Sequence, residues 1–580
     1  MRLVLSQYLR TLRERDEFDR LLPELLSEMG YVALVKPQAG TRQFGVDFAA
    51  AGKSLNDGVD ELLLFVIKQG DIGRAEWSGG QNAVRPSMEE ILDVFLASHV
   101  PPGYENHRKA IVVATTGDLN QDTLPNWSGF TQRHTQVVFE FWGADHVGGL
   151  LERHLLDENL FDAQDRSDLR KSLALAGDSE YRFTDLCRLL LRQLGLNADG
   201  SLSPQGQAQS RKDLVKALRR VHLAARICAY WADAEGDRRQ AMWVLERTML
   251  WCFHRAQAQE LHTNDTVLQE LFDIWKSHAD AGQRLYELLL PHLDVKDGFS
   301  GYCREGAEYS VVLFEQIGLL ASIGLAQALS GVDEAERAQA MNNARTIAHA
   351  LATLLRNHSA AASPRLDGHV IDISLALVLL TVTGQRETTR WWMEELVGRL
   401  NFVYQLDQYL PVGTDSLDDL VEMDVEGGEA LKATTKHTSW MLATLASWCA
   451  ALKFDDLYST LAQGAATKYP EVGAQLWHPA TDWPSAWYFE PGHHRHGSSE
   501  APYAMPPDAP VLRARIQAFN TSRVLQWEEH SPALVVGLWP VDFVACRHFR
   551  TPMPASVWYS MATLDGTASE EAAVAAATAE

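Results

Sequence analysis

At 580 residues the chain exceeds the roughly 250–300 that a single hydrophobic core can organise, so two to four domains are expected. Apolar residues at 46% and charged residues at 22% exclude a wholly disordered or collagen-like chain. A formal net charge of −24 excludes nucleic-acid binding by bulk charge: contact with a polyanion requires a local basic patch, a bound metal ion or a partner subunit. In chain order, "DEFDRLLPELLSEMGY" places Phe18, Leu21, Leu22, Leu25 and Leu26 on one helical face, with Gly30 as the stop. The apolar runs "YVALVK", "FGVDFAA" and "LLLFVIK" then read as three strands. "SMEEILDVFLASH" reads as a helix bounded by Pro86 and Pro101. "KAIVVATTG" and "TQVVFEFWG" read as two more strands, and "ADHVGGLLERHLL" as a closing helix. Residues 1–160 therefore predict an α/β domain, a mixed sheet flanked by helices.

Residues 161–465 keep helical periodicity and predict a large all-α domain serving interaction or regulation. Within it the apolar stretch from Ser310 to Leu329 carries Glu315 and Gln316 and reads as a buried core helix rather than a membrane span. The acidic run "TDSLDDLVEMDVEGGEA" reads as a solvated loop face. Residues 466–562 form an irregular segment rich in Trp, Pro and His, in which "RVLQW" and "PALVVGLWPVDFVACRHF" suit either short strands or a closing helix. Residues 563–580 are a low-complexity tail, expected to be disordered. The six cysteines stand singly with no CxxC pair, as free thiols of a reducing compartment do. The first twenty residues lack a secretory apolar region, so a cytoplasmic location is expected.

The chemistry is concentrated in "GVDFAAAGKSLNDGVDELLLFVIKQGD", Gly45 to Asp71. It presents Asp47 at the head of one strand and Lys68 at the end of the next. Phosphodiester cleavage needs a divalent cation fixed by carboxylates, and it gains from an ammonium beside the reacting phosphate. Side chains alternate along a strand, so the residues sharing the face of Lys68 are Val66 and Leu64. No GxxxxGK[ST] loop and no GxSxG elbow is present. His478, His493, His494 and His496 lie among Pro and Gly without helical spacing and read as a loop rather than a zinc site.

The "FD" helix, "MGY", a variable strand, "GVDF", and an apolar strand ending in lysine before a Gln-Gly turn together resemble the PD-(D/E)xK restriction-endonuclease-like superfamily. The likeness is strongest to Mrr-like enzymes and antiviral-defence nuclease domains, and it covers about 150 residues at the N-terminus. The resemblance implies that Asp47 and Lys68 are catalytic, and that Asp47 and Asp19 bind Mg²⁺ or Mn²⁺. It also implies that Gln43 lies in a loop facing the substrate, DNA, while the domain's own positive residues placed to approach that substrate are Arg42, Arg74 and Arg85, together with Lys36. Where the family carries Glu, Asp or Gln two residues before the lysine, this chain has Val66. Three accounts stand open: the carboxylate has migrated to Asp19, Glu24 or Asp71; the metal rests on Asp47 and a backbone carbonyl; or the site is dead. Two functions follow. One is a partner-gated nuclease effector of a prokaryotic antiviral defence system, with protein partners or self-association and no membrane. The other is a degenerate nuclease-fold scaffold or sensor subunit.

Overall fold

The computed structural model describes residues 2–10, 12–35, 44–54, 57–80, 82–154, 162–178, 180–303, 306–328, 334–408, 410–413, 415–425, 428, 430–433, 439–477, 487–489, 505–522 and 531–554. The chain divides into two compact units, Met1–Leu189 and Leu190–Glu580. The first is a mixed sheet flanked by helices. The second is all-α.

The first unit opens with α1 (Arg2–Leu9), a π-helical turn (Glu14–Phe18) and α2 (Asp19–Glu28). Strands β1 (Val32–Val35), β2 (Phe48–Lys53) and β3 (Asp60–Lys68) follow. Next come α3 (Arg74–Ser78) and α4 (Val84–Glu90), the latter continuing through a second π turn (Ile91–Phe95) into α5 (Leu96–Ser98). Then come β4 (Arg108–Thr115), α6 (Leu124–Thr131), β5 (Val138–Trp142), α7 (Ala144–His154), α8 (Ala163–Ala174) and α9 (Thr184–Leu194). The sheet order is β1-β2-β3-β4-β5, antiparallel across the first two pairings and parallel across the last two. Parallel neighbours need a crossover. The helix α6 that supplies one between β4 and β5 is absent from the periodicity reading, because "LPNWSGFT" has no amphipathic repeat.

β3 is an unbroken apolar run because both of its faces are covered. Leu62, Leu64 and Val66 pack with Trp77, Met88, Ile91, Phe95 and Phe130 from α3 through α6. On the other face Phe65 meets Phe48 at 5.6 Å between ring centroids and Trp142, edge-on, at 5.3 Å. At the end of the sheet where β3 begins, Arg108 bridges Asp57 and Glu61, and the Tyr31 hydroxyl donates to Glu61 at 2.7 Å.

The second unit comprises α10 (Pro204–Ala208), α11 (Arg211–Ala234), α12 (Arg238–Ala258), α13 (Asp265–Leu293), α14 (Gly306–Gln327), α15 (Glu334–Asn357), α16 (Val370–Val382), α17 (Arg386–Leu406) and α18 (Leu417–Val425). Further helices among the described residues are Trp440–Ala451, Asp455–Thr467, Ala509–Ser522, Pro532–Val535 and Pro540–Phe549. α14 is long and apolar enough to cross a membrane, yet most of it is buried in protein: it packs on α13, α15, α16 and the helix Pro540–Phe549. A helix apolar all round suits such a central position. The acidic run read as a loop contains α18, which buries Leu420 and Met423, exposes Asp418 and Glu422, and pairs Asp424 with the buried Arg365; two apolar anchors one turn apart suffice. "PALVVGLWPVDFVACRHF" is helical at Pro532–Val535 and Pro540–Phe549. "RVLQW" and the four histidines from His478 to His496 lie outside the described residues.

Candidate functional site

Antiparallel pairing brings the start of β2 to the end of β3, with Phe48 opposite Phe65. Asp47, one residue earlier, is held there twice. Its backbone N–H donates to the Phe65 carbonyl at 2.9 Å, and its Oδ2 accepts the Ile67 N–H at 2.8 Å. The approach to β2 is fixed by Phe44 and Gly45, both left-handed at φ 53° and 81°. A Cβ on Gly45 would stand 2.2 Å from the Ser87 carbonyl oxygen of α4, so both the conformation and the close approach require glycine there. Lys68, the last residue of β3, is half-buried and pairs with Thr115 of β4. This end of the sheet, outside the carboxyl ends of parallel strands, is where open α/β sheets bind ligands.

A third charged side chain reaches the same place. Glu14 sits in the π-helical turn ahead of α2, where the Phe18 N–H donates to the Arg13 carbonyl at 3.0 Å, five residues back. Lys68 and Asp47 are the charged neighbours that act on the Glu14 carboxylate most strongly. Burial raises the Glu14 pKa above the ordinary carboxylate range; the Lys68 charge opposes that rise and the Asp47 charge adds to it. Burial likewise raises Asp47, against the pull of Lys68, the Ile67 N–H and Arg15. Two carboxylates thus share a half-buried spot with one ammonium, and each resists ionising there. Lys68 and Arg15 both act on the pair, and carboxylate oxygens such as those of Glu14 and Asp47 are the ligands that a hard divalent ion takes.

Val66 is fully buried in the apolar cluster against α4 and the π turn after it, so β3 offers no carboxylate two residues before the lysine. Asp19 opens α2 and is half-buried. Asp71 is engaged elsewhere: its Oδ1 accepts the Asp118 N–H at 2.8 Å and pairs with Arg10 at 3.3 Å. Arg74 opens α3, exposed, in an ion pair with Asp122 at 3.4 Å. Lys36, Arg42 and Gln43 lie outside the described residues. Sequence reasoning misses Glu14 because "RERDEFD" offers four acids within six positions, and a π turn obeys no 3.6-residue periodicity. Its one signal is an acid one turn ahead of the amphipathic run.

The loops after β3 and β4 are clasped together beside the site. The Gly70 N–H donates to Thr116 Oγ1 at 2.8 Å, the Ile72 N–H to the Asp118 carbonyl at 2.8 Å, and the Asn120 N–H to the Ile72 carbonyl at 3.1 Å. Arg10 ties both loops to the segment after α1 through Asp71 and Asp118. A Cβ on Gly117 would lie 2.3 Å from the Gly70 carbonyl carbon, so only glycine lets the two loops close.

Comparison of the chain with protein-family models, characterised proteins and solved structures gives no match to any of them.

Proposed function

We propose that the first unit is a metal-dependent phosphodiesterase of the restriction-endonuclease-like kind, cutting DNA in the cytoplasm. In this reading the helical unit receives a partner or trigger that gates cutting, as in an antiviral defence system. The observation that carries the reading is the convergence of Glu14, Asp47 and Lys68 at the carboxyl end of β3. Glu14 takes the place that Val66 leaves vacant, as a carboxylate migrated from strand to helix. Asp47 and Glu14 would hold Mg²⁺ or Mn²⁺, which when bound supplies Lewis-acid polarisation of the phosphate. Lys68 draws the phosphate in and offsets the negative charge that builds on it. Arg15, exposed beside the carboxylates, adds a second cation facing the polyanion.

The test is Mn²⁺ titration of the purified chain by calorimetry, together with Mg²⁺-dependent nicking of supercoiled plasmid. Asp47→Asn and Glu14→Gln are expected to abolish or greatly weaken ion binding, and Lys68→Ala to leave ion binding in place while removing nicking. Ion binding unchanged in both carboxylate variants would defeat the proposal. A second reading, a nuclease-like fold retained as an assembly scaffold, draws on one observation, the apolar Val66 at the position where such enzymes carry a ligand. It predicts no ion binding at the site and undiminished function in the Asp47 and Lys68 variants.

A further inference from the structure

A cavity of about 230 Å³ opens within the second unit. It lies between the start of α14, the 3-10 turn Ser359–Ala362 with the loop after it, and the last turns of α17. Its depth is set by the buried Ser310, Pro364 and Leu400, and the ring of Phe402, 60% exposed, stands at the mouth. The frame is rigid. Trp392 Nε1 donates to the Ala361 carbonyl at 2.9 Å, and Ser310 Oγ to the Ser363 carbonyl at 2.9 Å.

The charge of the lining is the unusual feature. In a chain with 76 acidic and 52 basic residues, this cavity is lined by two arginines and no carboxylate. Arg365 is buried and fixed by an ion pair with Asp424, so its guanidinium is part of the wall. Arg399 is exposed at the rim and makes no ion pair among the described residues. A guanidinium whose donors make no hydrogen bond among the described residues matches the two oxygens of a carboxylate or phosphate. The exposed ring beside it offers a face to stack on. The volume is below the roughly 300–1,000 Å³ of sites for drug-sized ligands, which suits one ring and one anionic head.

We propose that this cavity binds a small planar organic anion, with its carboxylate or phosphate head on Arg399 and its ring against Phe402. The site lies wholly in the second unit and does not depend on the nuclease reading. The test is calorimetric titration of the full-length chain with phenyl phosphate, benzoate, inorganic phosphate and neutral benzyl alcohol. At least one ring-bearing anion is expected to bind saturably at roughly millimolar Kd or better. The tighter of phenyl phosphate and benzoate identifies the head. Arg399→Ala is expected to weaken that binding about tenfold or more. Phe402→Ala should weaken the ring-bearing anion while leaving inorganic phosphate unchanged. Both positions are exposed, and circular dichroism checks the fold of each variant. Absence of saturable binding by either ring-bearing anion, equal binding of benzyl alcohol, or binding insensitive to Arg399→Ala would each overturn the assignment.

Discussion

Under the nuclease reading, Glu14 is the residue on which the chemistry of the first unit turns. In that reading it supplies, from a helical turn, the carboxylate that β3 does not, within the field of Lys68 and Asp47. Under the nuclease reading Glu14→Gln keeps the size of the side chain and its hydrogen-bonding oxygen but removes the charge. Its metal-dependent cleavage should fall by more than the roughly 10–100-fold that follows loss of a residue merely supporting a ligand. Val66→Glu is expected not to restore it, because that side chain points into a closed apolar cluster; the variant should lower the thermal midpoint instead. Both carboxylates have pKa values raised by burial, so as the pH rises they ionise later than ordinary carboxylates do. Ion affinity measured against pH should therefore reach its plateau above the range set by the ordinary values of 3.8 and 4.5. A half-point at or below those values would contradict the burial argument.

At the scale of elements, the helix Pro540–Phe549 is pinned by a buried ionic cluster. Glu246 of α12, fully buried, faces Arg547 at 2.5 Å, His548 Nδ1 at 2.6 Å and His278 Nε2 of α13 at 3.0 Å. Burial alone would raise the Glu246 pKa, but Arg547 and the two histidines outweigh it and hold the group well below its ordinary 4.5. Glu246→Ala strands the Arg547 guanidinium, and its expected cost of about 3–5 kcal/mol is measurable as a shift in urea midpoint. His548 is held down to about 4 by burial, against its ordinary 6.5. Between those two values the unfolded chain takes up a proton that the native state refuses, so the native state loses stability as the pH falls from 6.5 towards 4. His548→Gln should flatten that part of the stability–pH curve, and an unchanged slope would remove His548 as a contributor. Within the first unit, Gly117→Ala is expected to lower the thermal midpoint, since the added methyl group meets the backbone of the neighbouring loop.

At the scale of the whole molecule, the net charge of −24 sets the terms on which a nucleic acid can be approached. Sequence-independent affinity grows with the number of phosphates neutralised, and this surface as a whole repels them. Under the nuclease reading, retention on duplex DNA should accordingly require Mg²⁺ or Mn²⁺ and be lost in a chelator. Its salt dependence should be shallow, with a slope reflecting only a few phosphate contacts. Strong binding in chelator at physiological salt would show that a basic surface, rather than a bound ion, carries the interaction.

The sequence by itself determined the five strands of the first unit and its longer amphipathic helices, though not α1, α3 or α6, together with the helical character of the second unit and the placing of Asp47 and Lys68 on neighbouring strands. Each of these follows from local periodicity and from the rule that antiparallel strands joined by a short turn meet at their ends. It placed α14 correctly as a core helix from two polar residues in an apolar run. The tertiary structure alone decided which of the acids in "RERDEFD" reaches the strand end, because that choice depends on a π turn and on how α2 packs across β1 and β2. It also decided that Val66 belongs to the core. The same apolar residue at the end of a strand can face a closed cluster or an open cleft, and only the helices laid over that face distinguish the two. The arginine-lined cavity was out of reach for the same reason: its residues come from three segments spread over nearly a hundred positions, with no shared motif to join them.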